Sequence, residues 1–106
     1  MPEGDRVIPY ATIRQAIIDR QSLTAIYDNY VRHFSPHILG RDRSLEPAVV
    51  AFQYGGGRMG GLPNAGEWCF FHVSGLKDLS QNRDPWMPGR AVGKPKDLIV
   101  DIDVSA

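Results

Sequence analysis

Large apolar side chains are packed most densely between Trp68 and Leu76. Trp68, Phe70 and His72 share one face of an extended segment there, and Cys69, Phe71 and Val73 share the other. A strand that is apolar on both faces must be covered on both, which predicts the central strand of a sheet or barrel. The remaining elements read as what surrounds it. Ile13, Ala16, Ile17 and Arg20 fall on one helical face, predicting a short helix over residues 11–20 with Thr12 as its N-cap. Residues 1–10 read as an arm, and residues 11–106 as a single domain. Leu23, Ala25 and Tyr27 alternate with more polar neighbours as a strand does. Asp28-Asn29 makes a turn, and Tyr30 to Ser35 returns, with Pro36 marking an edge or a bulge. Leu39 to Ser44 reads as a polar loop. Ala48 to Tyr54 reads as a strand apolar on both faces, and Gly55 to Gly66 as a long hairpin loop. Leu76 and Leu79 continue the central strand around a bend or form one helical turn. Pro85 to Arg90 is irregular. Leu98 to Val104 closes the chain as an edge strand. Leu98, Val100, Ile102 and Val104 are expected on its buried face, and Ile99, Asp101 and Asp103 outside. The sum is a mainly β fold: one short α-helix followed by five short strands, expected to close into a small barrel because closure removes exposed edges.

Composition adds limits. A chain of 106 residues supports one core, and an apolar share of 42% with 23% charged residues is that of an ordinary globular protein. Twelve basic residues balance 12 acidic ones, so no overall positive field recruits nucleic acid and any basic site must be local. No apolar run reaches the roughly 18 residues of a membrane span. Met1 to Arg6 has no apolar signal-peptide core behind it, and Cys69 is the one cysteine, so no internal disulfide forms. A cytoplasmic protein that does not enter the membrane is the expectation.

The chemistry on offer is sparse. His33 and His37 are spaced four apart, but Pro36 interrupts both strand and helix between them and no carboxylate stands near, so no metal is expected. Cys69 and His72 point to opposite faces of one strand and cannot pair as nucleophile and base. Gly55 to Gly61 suggests a phosphate loop, yet lacks the Lys-Ser/Thr ending and a following helix, leaving Arg58 at the tip of a hairpin loop. Asp97, Asp101 and Asp103 suit the solvated side of an edge strand. No acid–base pair stands at workable spacing, so neither an enzyme nor a cofactor is expected. Arg32, Arg41, Arg43 and Arg58 form a local basic patch beside Tyr27, Tyr30, Phe34 and Tyr54, the ingredients of a base-stacking surface and equally of a core.

The order of features resembles the WYL domain family, in its small single-domain form. The features are the helix Ile13-Arg14-Gln15-Ala16-Ile17, a strand ending in Tyr27, then Arg32, Pro36 and Leu39-Gly40. Val50-Ala51-Phe52-Gln53-Tyr54-Gly55-Gly56 follows, and after a glycine-rich gap Trp68, Phe71, Val73 and Leu76. The resemblance covers residues 12–80. The triplet that names the family is replaced by Pro47-Ala48-Val49, and two of its cationic positions read His72 and Gly75. It implies a five-stranded Sm-like or SH3-like β-barrel behind one helix. It also implies a non-enzymatic sensing or regulatory module that holds a nucleotide-like or single-stranded nucleic-acid ligand through Arg32, Arg58 and His72. The second function class is a structural or protein-interaction barrel without a ligand. Trp86 and Met87, apolar between two prolines, are expected either to cap the barrel or to meet a second chain in a homodimer.

Overall fold

A computed structural model describes the backbone of residues 2–106 and the side chains of residues 9–106. The helix α1 spans Pro2–Asp19, so most of the stretch read as an arm is helical and Thr12 lies inside the helix, not at its cap. Residues 2–8 carry no apolar period to announce a helix, and Pro9, which removes one ladder donor, is accommodated within it. The C-terminus is a Schellman stop: Arg20 turns to φ 51°, its N–H donates to the Ile17 carbonyl, and the Gln21 N–H donates to that of Ala16.

Six strands follow: β1 Leu23–Tyr27, β2 Tyr30–Arg41, β3 Pro47–Gly56, β4 Glu67–His72, β5 Lys77–Gln81 and β6 Asp101–Ser105. They form an antiparallel sheet in the order β4-β3-β2-β1-β5, with β6 also on β2. The sheet is not closed, and it has one strand more than expected. The β1–β2 hairpin turns on Asp28 and Asn29, both at positive φ, as the two-residue loop demands. The expected loop at Leu39-Gly40-Arg41 is instead the continuation of β2. Pro36 sits at a register shift against β3 within a 12-residue strand, a bulge that bends the strand without ending it. β2 is therefore the middle of the sheet. One edge pairs with β3 from Arg32 to Arg41; the other is shared by β1 along Tyr30–Phe34 and by β6 along Ile38–Arg41.

β4, expected at the centre, lies at one end of the strand order and pairs with β3. Its alternation is as read. Phe71 and Val73, with Cys69 beside them, join the core under α1, where Ile13, Ala16 and Ile17 meet Leu23, Phe34, Leu39 and Val49. Trp68, with Phe70 packed beside it, joins a second core on the outer face with Ile38, Ala48, Val50, Phe52 and Ile99. Helix covers one face, and the segment between β5 and β6 lies over the other. Coverage of both faces thus produces the doubly apolar pattern that a central strand also shows. The stretch left open as a bend or a helical turn is a 3-10 turn over Val73–Gly75, closed by Leu76, and then β5, which carries Leu79.

Asp101 and Asp103 are exposed and Val104 packs on the helix-side core, as expected, but the segment leading into the closing strand is inverted and Ile102 faces out. Ile99 is buried, whereas Leu98, Val100 and Ile102 are 47%, 53% and 53% exposed. The period-two pattern does not run through this segment. Lys96–Leu98 is a 3-10 turn, β6 begins only at Asp101, and its pairing with β2 shifts register between Leu39 and Gly40. Gly40 is obligatory beneath it, since a Cβ there would stand 2.1 Å from the Asp101 carbonyl oxygen.

α1 is clamped to β6 by Tyr10, whose hydroxyl donates to Asp103 at 2.6 Å, and by Arg14, 3.3 Å from the same carboxylate. Burial and this bond push Tyr10 up from 10.0 to about 12, while the hydroxyl and Arg14 hold Asp103 below its usual value. The folded Tyr10 keeps its proton where the unfolded chain has lost it, so its contribution to stability is complete below about pH 10 and is lost as pH rises to about 12. In an ultraviolet titration of tyrosinate one tyrosine should ionise near that upper value, and Asp103→Asn should return it toward 10.0. Phe71, buried against Phe34 at a centroid distance of 5.2 Å, anchors the helix-side core. Phe71→Ala should cost about 3–5 kcal/mol in urea unfolding.

Candidate functional site

Arg32 projects from β2 into the helix-side core and is buried. Its Nε and Nη2 donate to the Tyr27 carbonyl at 3.3 and 3.1 Å, and its Nη1 donates to Gln53 Oε1 at 3.2 Å. The guanidinium also lies 5.5 Å from the Tyr27 ring centroid and 5.6 Å from those of Tyr30 and Phe71. Burying that charge is tolerable because hydrogen bonds and ring faces replace its water.

Gln53, fully buried on β3, passes the restraint onward. Its Nε2 donates to the carbonyls of Gly55 and Gly57, both at 3.0 Å, and so ties down the base of the glycine-rich loop. Gly56 is at φ 86°, and a Cβ there would stand 2.1 Å from the Val31 carbonyl oxygen, so the loop enters on a position only glycine fills. Arg58, half-buried in that loop, faces Cys69. Burial raises the Cys69 thiol above its ordinary range, and the guanidiniums of Arg58 and Arg32 act against that rise. The thiol itself lies 3.6 Å from Gln53 Oε1.

His72 stands elsewhere. It leaves β4 on the outer face, edge-on to Phe70 at 5.2 Å, with Nε2 3.1 Å from Asp42 Oδ2. Asp42 closes the β2–β3 turn by accepting the N–H groups of Ser44 and Glu46, and these bonds with His72 hold its carboxyl low. On β3, Arg32 is level with Gly56 and His72 with Ala48, near opposite ends of the strand. The structure brings Arg32 and Arg58 to Cys69, and puts His72 on the opposite face. Three cations do not converge on one rim.

The sequence reading passed over His37 as a poor metal ligand. It is buried between two tryptophan rings, Trp86 stacked at 4.3 Å and Trp68 edge-on at 4.8 Å. Trp86 and Met87 cover the outer face: the Trp86 indole N–H donates to the Pro36 carbonyl at 3.2 Å, and Met87 packs on the outer core. The repeated pairing of a histidine with tryptophans far along the chain leaves no local signal, so only the fold reveals it. Among the described residues no three His, Cys, Asp or Glu side chains gather as a metal set, and no helix is long and apolar enough to cross a membrane.

Comparison with protein-family models, with curated proteins and with solved structures finds no match in any of the three.

The Arg32–Gln53 pair generates a direct expectation. Gln53→Leu leaves the Arg32 Nη1 donor and the Gly55 and Gly57 carbonyls without that partner, which should destabilise the fold by roughly 1–3 kcal/mol. Hydrogen exchange should accelerate first at the amides of Gly55 to Arg58, not in β1.

Proposed function

We propose that this chain is a non-enzymatic protein-interaction module that adds an extended segment of another protein to its β6 edge. The carrying observation is Ile102, half-exposed on β6, a strand that among the described residues pairs with β2 alone, together with Leu98 and Val100, half-exposed in the segment that leads into it. Open strand edges recruit strands, and alternate side chains then read the incoming sequence. Asp101, exposed between Val100 and Ile102, has no ion-pair partner among the described residues. An apolar strand carrying Lys or Arg complements it, whereas a second copy pairing β6 with β6 would set aspartates near aspartates. The sheet order, with a 3-10 turn joining its two end strands and Tyr27 against Phe71 at 4.8 Å, supports reading the domain as a small SH3-like barrel opened between β4 and β5.

This reading takes precedence over a cation-lined nucleotide site because Arg32 already holds Tyr27 and Gln53 and His72 faces away from it. The test is a titration followed through backbone amide chemical shifts. A short peptide alternating Val and Lys should shift the amides of Leu98 to Ser105, and one alternating Val and Glu should leave them unmoved. β6 amides that shift with protein concentration alone would assign the surface to a second copy. Shifts around Arg58 on adding a nucleotide, with β6 silent toward both peptides, would return the ligand-sensing reading.

A further inference from the structure

The segment from Asn82 to Leu98 crosses the outer face as a strap, and it is fastened at its middle to His37. The His37 Nε2–H donates to the Met87 carbonyl at 2.9 Å. That bond fixes the neutral tautomer and leaves Nδ1 as an acceptor, and the Lys94 ammonium stands 3.4 Å from it. One side chain therefore grips the strap at two points, Met87 and Lys94. The same tryptophans that enclose the ring carry the neighbouring cations: Lys94 Nζ lies 5.3 Å from the Trp68 ring centroid, and the Arg20 guanidinium 5.4 Å from that of Trp86. Other hydrogen bonds also tie the strap to the sheet. Met87 N–H donates to Ser35 Oγ at 2.8 Å, and the Trp68 indole N–H donates to the Arg90 carbonyl at 3.1 Å.

The arrangement is built for an uncharged ring. A proton added to Nδ1 turns an acceptor into a donor that faces an ammonium group, and places a second positive charge 3.4 Å from the first. The charged groups acting on the ring come from two elements, Lys94 on the strap and Arg20 at the end of α1, and both are cationic. Lys96 adds a third positive charge beside Lys94. The ion pair between Arg90 on the strap and Glu67 on β4 does not involve the ring. Burial first, then Lys94 and Arg20, hold His37 below its ordinary 6.5, with the Met87 carbonyl acting the other way. Stability is therefore intact above that ordinary value and is lost as pH falls below it, because the open or unfolded chain takes up the proton first.

We propose that His37 is a proton-operated latch: a proton taken from solvent at Nδ1 drives the ring and Lys94 apart and releases the strap around Trp86, Met87 and Lys94 from the outer face. The helix-side core does not depend on that contact, so release uncovers Trp68 and Phe52 while α1 and the sheet stay folded.

Both tryptophans of the chain report on the latch. Their emission should shift to the red as pH is lowered from about 7.5 to about 5, with a midpoint below about 6.5, while far-ultraviolet circular dichroism stays constant. Lys94→Gln keeps a donor for Nδ1 and removes the charge, so its midpoint should move to lower pH. His37→Gln should make the emission independent of pH, and His72→Gln should leave the parent's midpoint in place. Emission that stays constant in the parent overturns the proposal. So does a Lys94→Gln variant that titrates with the parent's midpoint, or loss of ellipticity in step with the emission. Should His37→Gln not fold, the Lys94→Gln midpoint decides.

Discussion

The structure depends on β2 being paired along both edges. Its 12 residues carry β3 on one side, and β1 and then β6 on the other, so segments far apart in the chain are in register through one strand. Pro36 lies between the stretch that pairs with β1 and the stretch that pairs with β6, where the ladder on that edge is handed from one strand to the other. A bulge there bends the sheet and aims Phe34 and Leu39 at α1 while Ile38 faces the outer core. Without continuity through that bend, β6 would have no ladder and the strap no far anchor.

Two thin cores follow from this geometry, one on each face. A domain of this size buries too little surface for either to suffice, and each needs a cover that is not part of the sheet. α1 supplies one through Ile13, Ala16 and Ile17, clamped at its side by Tyr10 and Arg14 on Asp103. The strap, fastened at Pro36 and His37, supplies the other through Met87, with Ile99 just beyond its end. The polar groups buried along the way are matched almost one for one: Arg32 with Gln53, and Ser22 with Ser35 at 2.7 Å.

Side-chain patterns report faces, not edges, and that distinction explains what was legible in the sequence. The alternation from Trp68 to Val73 and the turn at Asp28-Asn29 are as expected, because each is a local consequence of residue type. The place of β4 in the strand order was not legible, since helix and strap bury its two faces and face burial looks the same at the end of a sheet as at its centre. β5 was hard to see because Leu79 is its only apolar residue. Leu98 to Val100 inverted because a 3-10 turn breaks the period before β6 begins, while Asp101, Asp103 and Val104 lie on the faces expected of them. Among the site residues, Arg32 read as a ligand contact because its charge is visible in the sequence and the Tyr27 carbonyl and Gln53 that satisfy it are not. His37 read as inert for the same reason: its partners Trp86, Met87 and Lys94 lie some fifty residues away.

Native-state hydrogen exchange, resolved by residue, tests the central place of β2 most directly. Amides of β2 on both sides of Pro36, at Phe34 and Leu39, should be among the slowest to exchange and should open only with global unfolding, with the outer amides of β4 exchanging faster. Slowest exchange in β4, with β2 opening in two independent halves around Pro36, would contradict the account.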